Sequence, residues 1–249
     1  MVAKTVELPN IRKMFIPDPD FILLDADLKR ADAQVVAWEA DDEELKQIFR
    51  EGLDIHNENA RAMYRVASPT YAQRQNAKTG CHAANYGVSA RTLAGHLNCT
   101  VHEADQFLKL WFAAHPKIKA WQDRIFTELR ATRTVWNKFG FRRYYFDRID
   151  RAVLGEALAW CPQSTVALVT DKGMVQIERT LPEVQLLLQV HDSVVMQVPK
   201  ETFPDICYKI RSAMEILVPY DDPLVIPVSM AFSDGSWGHL EEFTFADAA

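Results

Sequence analysis

Arg74, Lys78, His82 and Tyr86 are spaced four apart in the segment RQNAKTGCHAANYG, which Gly87 closes. Residues four apart share one face of an α-helix. That face presents two cations, then an imidazole, then an aromatic ring. Such a row suits a nucleoside triphosphate: Arg and Lys hold phosphate oxygens, and the rings pack on sugar and base. The same spacing also describes a solvated basic face followed by a core tyrosine.

Two acidic segments weigh on that choice. In FILLDADLKRAD, residues 21–32, the apolar run Phe21 to Leu24 reads as a buried strand that ends in Asp25 and Asp27. In LLLQVHDSVVMQVP, residues 186–199, β-rich apolar stretches flank His191, Asp192 and Ser193. The pattern predicts a tight hairpin with the acid at its turn. Carboxylates buried at strand tips are costly unless a cation compensates them. Two such aspartates on neighbouring strands can hold a pair of Mg²⁺ ions about 3.5–4 Å apart, the arrangement used for in-line phosphoryl displacement. A single Asp here would more simply cap a turn; two of them beside a phosphate-binding helix make that account weaker.

The order D…RxxxKxxxHxxxYG…HD resembles motifs A, B and C of family A DNA polymerases. Flanking text agrees: EGLDIHNENA (51–60), FGFRRYY (139–145), PQSTVA (162–167) and SWG (236–238) are each similar to family segments, and the resemblance runs from about Leu8 to Leu240. It implies an α+β fold, with a right-hand palm of antiparallel sheet and packed helices plus a mostly helical fingers subdomain. It also implies a DNA-directed DNA polymerase that transfers nucleotides from dNTP to a primer 3′-OH on a DNA primer–template, with two Mg²⁺ ions.

Residue by residue, the resemblance makes Asp27 and Asp192 the metal-binding acids, with the Leu28 carbonyl as a further ligand. Arg74 and Lys78 match the triphosphate-binding residues, and Lys78 the proposed general acid for the pyrophosphate leaving group. Tyr86 and Gly87 match the pair beside the templating base. His56 matches a nucleotide-contacting histidine, Gln189 and His191 contacts near the primer terminus, and Gln163 a template contact. The chain also departs from the pattern. His82 stands where most of the family has Phe or Tyr under the incoming sugar, and can titrate near neutral pH. Asp32 stands where a Glu excludes a 2′-OH, one methylene shorter. Leu28 replaces a Tyr, and Ser193 replaces a second acid. An HDS turn also occurs in single-subunit RNA polymerases, which makes a ribonucleotide polymerase the alternative enzyme. Asp32 argues against it. A non-catalytic DNA-binding or scaffolding subunit is the alternative outside enzymes. Keeping Asp27, Asp192, Arg74 and Lys78 together argues against that.

The 249 residues are 48% hydrophobic, enough for a sizeable core. The four cysteines have no CxxC pair and read as reduced thiols. No apolar run approaches the ~20 residues that span a bilayer, and the N-terminus has no signal core, so no membrane is expected. The expected location is cytoplasmic, in the host cytoplasm if phage-encoded. The net charge of −6 is unfavourable for a nucleic-acid binder. Two local basic tracts offset it: Arg142, Arg143, Arg148 and Arg151 with Tyr144 and Tyr145 interleaved, and Lys109, Lys117, Lys119 and Arg124 on a helix.

The elements that must position these groups read as β, then mostly α, then β. A helix is expected over 41–52 with Leu45, Ile48 and Phe49 inward, and the nucleotide helix over 70–87. Two helices within 101–132 break at Pro116, with Phe107, Leu110, Trp111, Ile118, Trp121, Ile125 and Leu129 buried. A hairpin follows around Asn137-Lys138, then a long helix over 153–180. The Asp192 hairpin comes next, then a helix over 201–217 and a last strand near Val225–Phe232. Residues 1–40 and 151–249 are assigned to the palm and 41–150 to the fingers. Family members carry a thumb and an exonuclease-type domain ahead of this region, whereas here Met1 lies a few residues before LPNIRK. Either a split polymerase or a minimal or excised palm–fingers unit would fit; the split version is favoured, its thumb or exonuclease on a second polypeptide docked through Val6–Phe15.

Overall fold

The computed structural model describes residues 9–246. The chain forms two compact units. One comprises Met1–Lys29, Ala167–Leu217 and Val225–Ala249; the other comprises Arg30–Val166 and Val218–Leu224. These bounds differ from the expected 1–40, 41–150 and 151–249 division. The segment after the first strand folds as a helix that packs on helices of the second unit, and residues 218–224 return to that unit. The expected docking segment Val6–Phe15 lies partly outside the described residues.

The first unit is built on a five-stranded antiparallel sheet of order β4-β5-β1-β8-β9. Its strands are β1 (Phe21–Leu28), β4 (Gln185–Val190), β5 (Ser193–Pro199), β8 (Val228–Ser233) and β9 (Glu241–Phe243). β1 is central. Its register sets Asp27 opposite Ser193 on one side and Ser229 on the other. Side chains alternate across a strand, so Ile22, Leu24, Ala26 and Leu28 fill one face, all buried. Leu23, Asp25 and Asp27 share the other, where Leu23 joins Val195 and Trp237 in a small apolar cluster. β4 is an edge strand with Leu187 and Leu188 exposed, so its apolar run does not mark burial on both sides. The helix expected over 201–217 is shorter, α9 (Asp205–Met214), because Pro204 precedes it and the chain leaves into the short strand β6 (Leu217–Val218), followed by β7 (Leu224–Val225). β9 was not expected from the sequence.

The second unit is mostly helical: α1 (Ala31–Ala40), α2 (Glu43–Arg50), α3 (Ile55–Tyr64), α4 (Tyr71–Asn85), α5 (Ala90–Leu97), α6 (Val101–Ala114) and α7 (Pro116–Thr132). The α6–α7 break falls at Pro116, as expected. Phe107, Trp111, Ile118, Trp121, Ile125 and Leu129 are buried, but Leu110 is 44% exposed. Phe107 and Trp111 carry the buried stripe of α6, and Leu110 lies beside that stripe on a shallow surface with Met63 and Tyr64. In α2, Asp42 caps the helix by accepting from Leu45 N at 3.1 Å, and Leu45 is buried while Ile48 and Phe49 are half-buried. Lys46 is buried instead, its ammonium on Asp41, Glu43 and Asp222.

The helix expected over 153–180 is α8 (Arg151–Thr180), with Pro162 inside it. By length and composition alone it could cross a bilayer, which differs from the expectation that no segment reaches that length. Its buried residues recur every three or four positions, among them Val153, Ala157, Leu158, Cys161, Thr165, Val169 and Ile177, as in a helix with one face in a protein core. The hairpin around Asn137 is β2 (Thr134–Trp136) with β3 (Arg142–Tyr144).

Candidate active site

In the first unit the two predicted acids meet at one turn. Asp27 is the last residue but one of β1, and Asp192 occupies the β4–β5 turn. Leu28 N donates to Asp192 O at 3.2 Å, which ties that turn to the strand end. His191 takes φ +59, the left-handed backbone the tight turn requires. A cleft of about 430 Å³ here is lined by Asp25, Asp27, His191, Asp192, Ser193 and Trp237, among others. Burial, then the neighbouring carboxylates of Asp192 and Asp25, pushes the Asp27 carboxyl up to about 6.

Asp25 is the group whose role here the sequence reading did not find. One carboxylate oxygen accepts from the Ser193 hydroxyl, the other from Trp237 Nε1 at 2.8 Å. The Arg12 guanidinium lies 4.4 Å from the Trp237 ring centroid. The signal was available in part: Asp25 and Asp27 are two apart on a strand and so share a face. Trp237, far along the chain, gave none. Gln189, on the exposed strand β4, donates to Asp171 at 3.3 Å.

These acids suit a hard cation. Two carboxylates crowded enough to raise one pKa are relieved by a dication, and Mg²⁺ is commonly held by one or two carboxylates plus substrate phosphates and water. Among the described residues there is no group of three or more His, Cys, Asp or Glu set to hold a metal, so the chain itself would supply only part of a coordination shell.

In the second unit, α4 starts with a capping box, Thr70 with Gln73. Its buried face is Ala77, Gly80, Cys81, Ala84 and Asn85. A Cβ at Gly80 would lie 2.2 Å from the Phe107 ring, so glycine is what lets α4 pack on α6. The spaced row runs along the flank of that face, with Arg74 half-buried and Lys78 and His82 exposed. The helix ends at Asn85, so Tyr86 is its cap rather than an interior residue, and Gly87 follows at φ +72.

Asp32, His56, Lys78, His82 and Tyr86 line one cleft of about 640 Å³, walled also by Phe49, Ile55 and Trp111. That volume is usual for a small-molecule site. The Tyr86 hydroxyl donates to the Asp32 carboxylate, and His82 Nδ1 lies 3.4 Å from Asp32 Oδ2. The His82 and Tyr86 rings meet edge to face at 5.0 Å. Burial, then the Asp32 charge, pushes the Tyr86 phenol far above its ordinary range, so it acts as a donor. Burial pushes His56 down to about 4, and its buried Nδ1 has no hydrogen-bond partner. An orphaned nitrogen facing a polar ligand would be satisfied.

Arg74 does not line this cleft. Its guanidinium donates to Asp54, at 2.9 Å from both Nε and a terminal nitrogen. Burial of Asp54 works against its charge, but the Arg74 bond outweighs it and holds the carboxyl below the usual range. Gln163 is exposed on α8 and lines neither cleft. The α6–α7 basic tract is partly committed within the unit: Lys109 pairs with Asp105, Lys119 with Asp123, and Arg124 donates to Glu39 O.

The family model for DNA polymerase family A matches residues 2–239, and the chain belongs to that family. It is 34% identical to the thermostable DNA polymerase I of Thermus filiformis over 231 residues, covering 89% of this chain and 28% of that protein. It is 32% identical to DNA polymerase I of Geobacillus stearothermophilus over 230 residues, 87% of this chain and 26% of that one. The chain thus spans about a quarter of the length of these relatives. Its fold is similar to the POL domain of Pol1 from M. smegmatis, solved in complex with DNA primer-template and dNTP. The TM-score is 0.83 at 23% identity, over 92% of this chain and 42% of that one.

Proposed function

We propose that the chain adds deoxynucleotides to a primer 3′-OH under the direction of a DNA template. The observation that carries this reading is the row Lys78, His82 and Tyr86, gathered with Asp32 and His56 around one cleft of nucleotide size. Family membership and the crowded Asp27–Asp192 pair support it. The substrates named for the M. smegmatis structure, primer–template DNA and dNTP, are the ones we assign here.

Asp27 and Asp192, with the Leu28 carbonyl, would hold Mg²⁺. Bound there, a pair of such ions would stabilise the attacking and leaving oxygens of an in-line displacement. Arg74 would exchange its Asp54 partner for phosphate oxygens, which it can grip bidentately. The Lys78 ammonium would neutralise the triphosphate and give a proton to the departing pyrophosphate. Tyr86, kept neutral by burial, would hold Asp32 in place, and Asp32 would occupy the space of a 2′-OH. The net charge of −6 is the reason for the finer part of the proposal: a second polypeptide supplies further phosphate contacts along the duplex.

Primer extension by the purified chain tests this, with dNTP and NTP offered separately. Mg²⁺-dependent extension with dNTP is the expected result. Preference for NTP would transfer the reading to an RNA polymerase. No extension with either, alone or with a thumb-bearing polypeptide, would leave a non-catalytic scaffold.

A further inference from the structure

The ribbon of β2 and β3 has two unlike faces. Its register pairs Val135 with Arg143 and Trp136 with Arg142. Alternation places Val135, fully buried, on one face. The other face presents Trp136, Arg142 and Tyr144, and Phe146 extends it by edge-to-face contact with Tyr144 at 4.8 Å. Trp136 is 49% exposed, Tyr144 48% and Phe146 86%.

The same alternation sorts the basic tract. Arg143 and Tyr145 are engaged within the chain: Tyr145 is buried, and Arg143, itself exposed, stacks on it at 4.7 Å and pairs with Glu156 at 3.1 Å. Arg151 donates to Gly87 O at 3.4 Å. Arg142 lies 5.5 Å from the Trp136 ring centroid and has no ion-pair partner among the described residues.

The ribbon is held at both ends. At the turn, Asn137 Oδ1 accepts from the N–H groups of Phe139 and Phe141 at 3.1 and 3.0 Å, and its Nδ2 donates to Ser164 Oγ at 3.0 Å. At the open end, Arg133 donates to Tyr145 O at 2.9 Å and Phe146 O at 2.8 Å. Exposed aromatic rings on a fixed backbone are costly in water and pre-paid in entropy for a ligand.

We infer that this face is a stacking surface for a single strand of nucleic acid. Bases would stack on Trp136, Tyr144 and Phe146, while Arg142 neutralises a phosphate. Arg142 and Tyr144 are successive on one strand face, about 6.6 Å apart by two residues of rise, and Trp136 stands opposite Arg142 on the paired strand, so the cation lies between two rings. An apolar protein partner would leave Arg142 buried without a counter-charge; a nucleic acid strand supplies one with each residue. The inference rests on the polymerase reading, in which the strand is template not yet copied.

Fluorescence anisotropy tests it with two primer–templates that share one duplex, one with a single-nucleotide and one with an eight-nucleotide template overhang, and with labelled oligo-dT. The wild-type chain should bind the longer overhang about 5- to 100-fold more tightly, the range for one stacked base. Trp136→Ala and Phe146→Ala should each lose much of that gain, and Trp136→Phe should keep it. Arg142→Ala should lower the slope of log affinity against log salt on oligo-dT by about 0.7. Equal affinity of the wild-type chain for both overhangs would overturn the inference, and that comparison needs no variant. Primer extension by the same protein separates the two readings. Extension without an overhang gain sinks the ribbon alone. An overhang gain sensitive to Trp136→Ala, with no extension either alone or with a thumb-bearing polypeptide, supports the ribbon and sinks the polymerase reading.

Discussion

The carboxylate turn and the cleft around Asp32 hold their charges in opposite ways. At the turn, Asp27 and Asp192 are placed by a backbone ladder. Burial, then the neighbouring Asp192 and Asp25 carboxylates, raises the Asp27 pKa. In the cleft, side chains hold one another: Tyr86 and His82 on Asp32, and Arg74 on Asp54 beside it. The first region is fixed, and its Asp27 anion is disfavoured by burial and then by like charge. The second is relaxed by internal partners that a ligand must displace. A charge placed by backbone cannot move to relieve itself, whereas one on a long side chain finds the nearest counter-charge.

The largest expected effect breaks that contrast at the turn. Asp27→Asn or Asp192→Asn should lower nucleotide addition at least about 1,000-fold, about 4 kcal/mol of barrier. Asp27→Asn should at the same time stabilise the metal-free protein near pH 8. A carboxyl whose folded pKa exceeds its unfolded value favours the folded state less once pH passes the folded pKa. The gain should be about 1 kcal/mol, discounted because Asp27 is partly open to solvent. Single-turnover kinetics and thermal unfolding measure the two. An Asn variant that is both active and less stable would place the strain elsewhere.

A smaller effect tests exchange of partners. Arg74→Ala should weaken dNTP binding about 10- to 100-fold, the loss of one charge-assisted hydrogen bond. Asp54→Asn should do the reverse or nothing, because it frees the guanidinium. If both variants weaken binding equally, the Arg74–Asp54 pair is part of the binding site rather than a resting contact.

Sugar choice probes the inner cleft. Asp32→Ala opens the space beside Tyr86 and should raise ribonucleotide incorporation. Tyr86→Phe removes the hydroxyl that holds Asp32 and should do so less. Competition between dNTP and NTP on one template ranks them; the opposite order would make Tyr86, not Asp32, the residue that excludes the 2′-OH.

The smallest effect is on stability. The His56 imidazole is pushed to about 4 in the folded chain, against about 6.5 when unfolded. Between those values the unfolded state binds more protons, so stability should fall as pH drops from about 6.5 to about 4. His56→Gln should flatten that slope in urea titrations at several pH values.

The spaced row on α4 and the acid at the His191-Asp192 turn were legible because helix and hairpin patterns are local. α1 was not: ADAQVVAWEA is apolar nearly all round and has no helical stripe, since eight of its ten residues are buried. Leu110 misled because an apolar residue beside a buried stripe looks like part of it. The Arg74–Asp54 pair and the Asp25–Trp237 bond join residues distant in sequence, and no spacing rule reaches them. The basic tract at 142–151 was visible, but its sorting into inward and outward members depended on strand register.

The central position of β1 carries a consequence for hydrogen exchange. From Leu23 to Asp27 the strand has a partner along both edges, so its amides should exchange only through the widest opening the protein undergoes. Tyr86 and Gly87 close α4 in a terminal turn, and their amides should exchange through a smaller opening. In a native-state exchange series the backbone around Asp27 would then keep its protection at denaturant concentrations where the end of α4 has lost it. The carboxylate turn would be the last part of the chemistry to come apart and, on refolding, among the first to be in place.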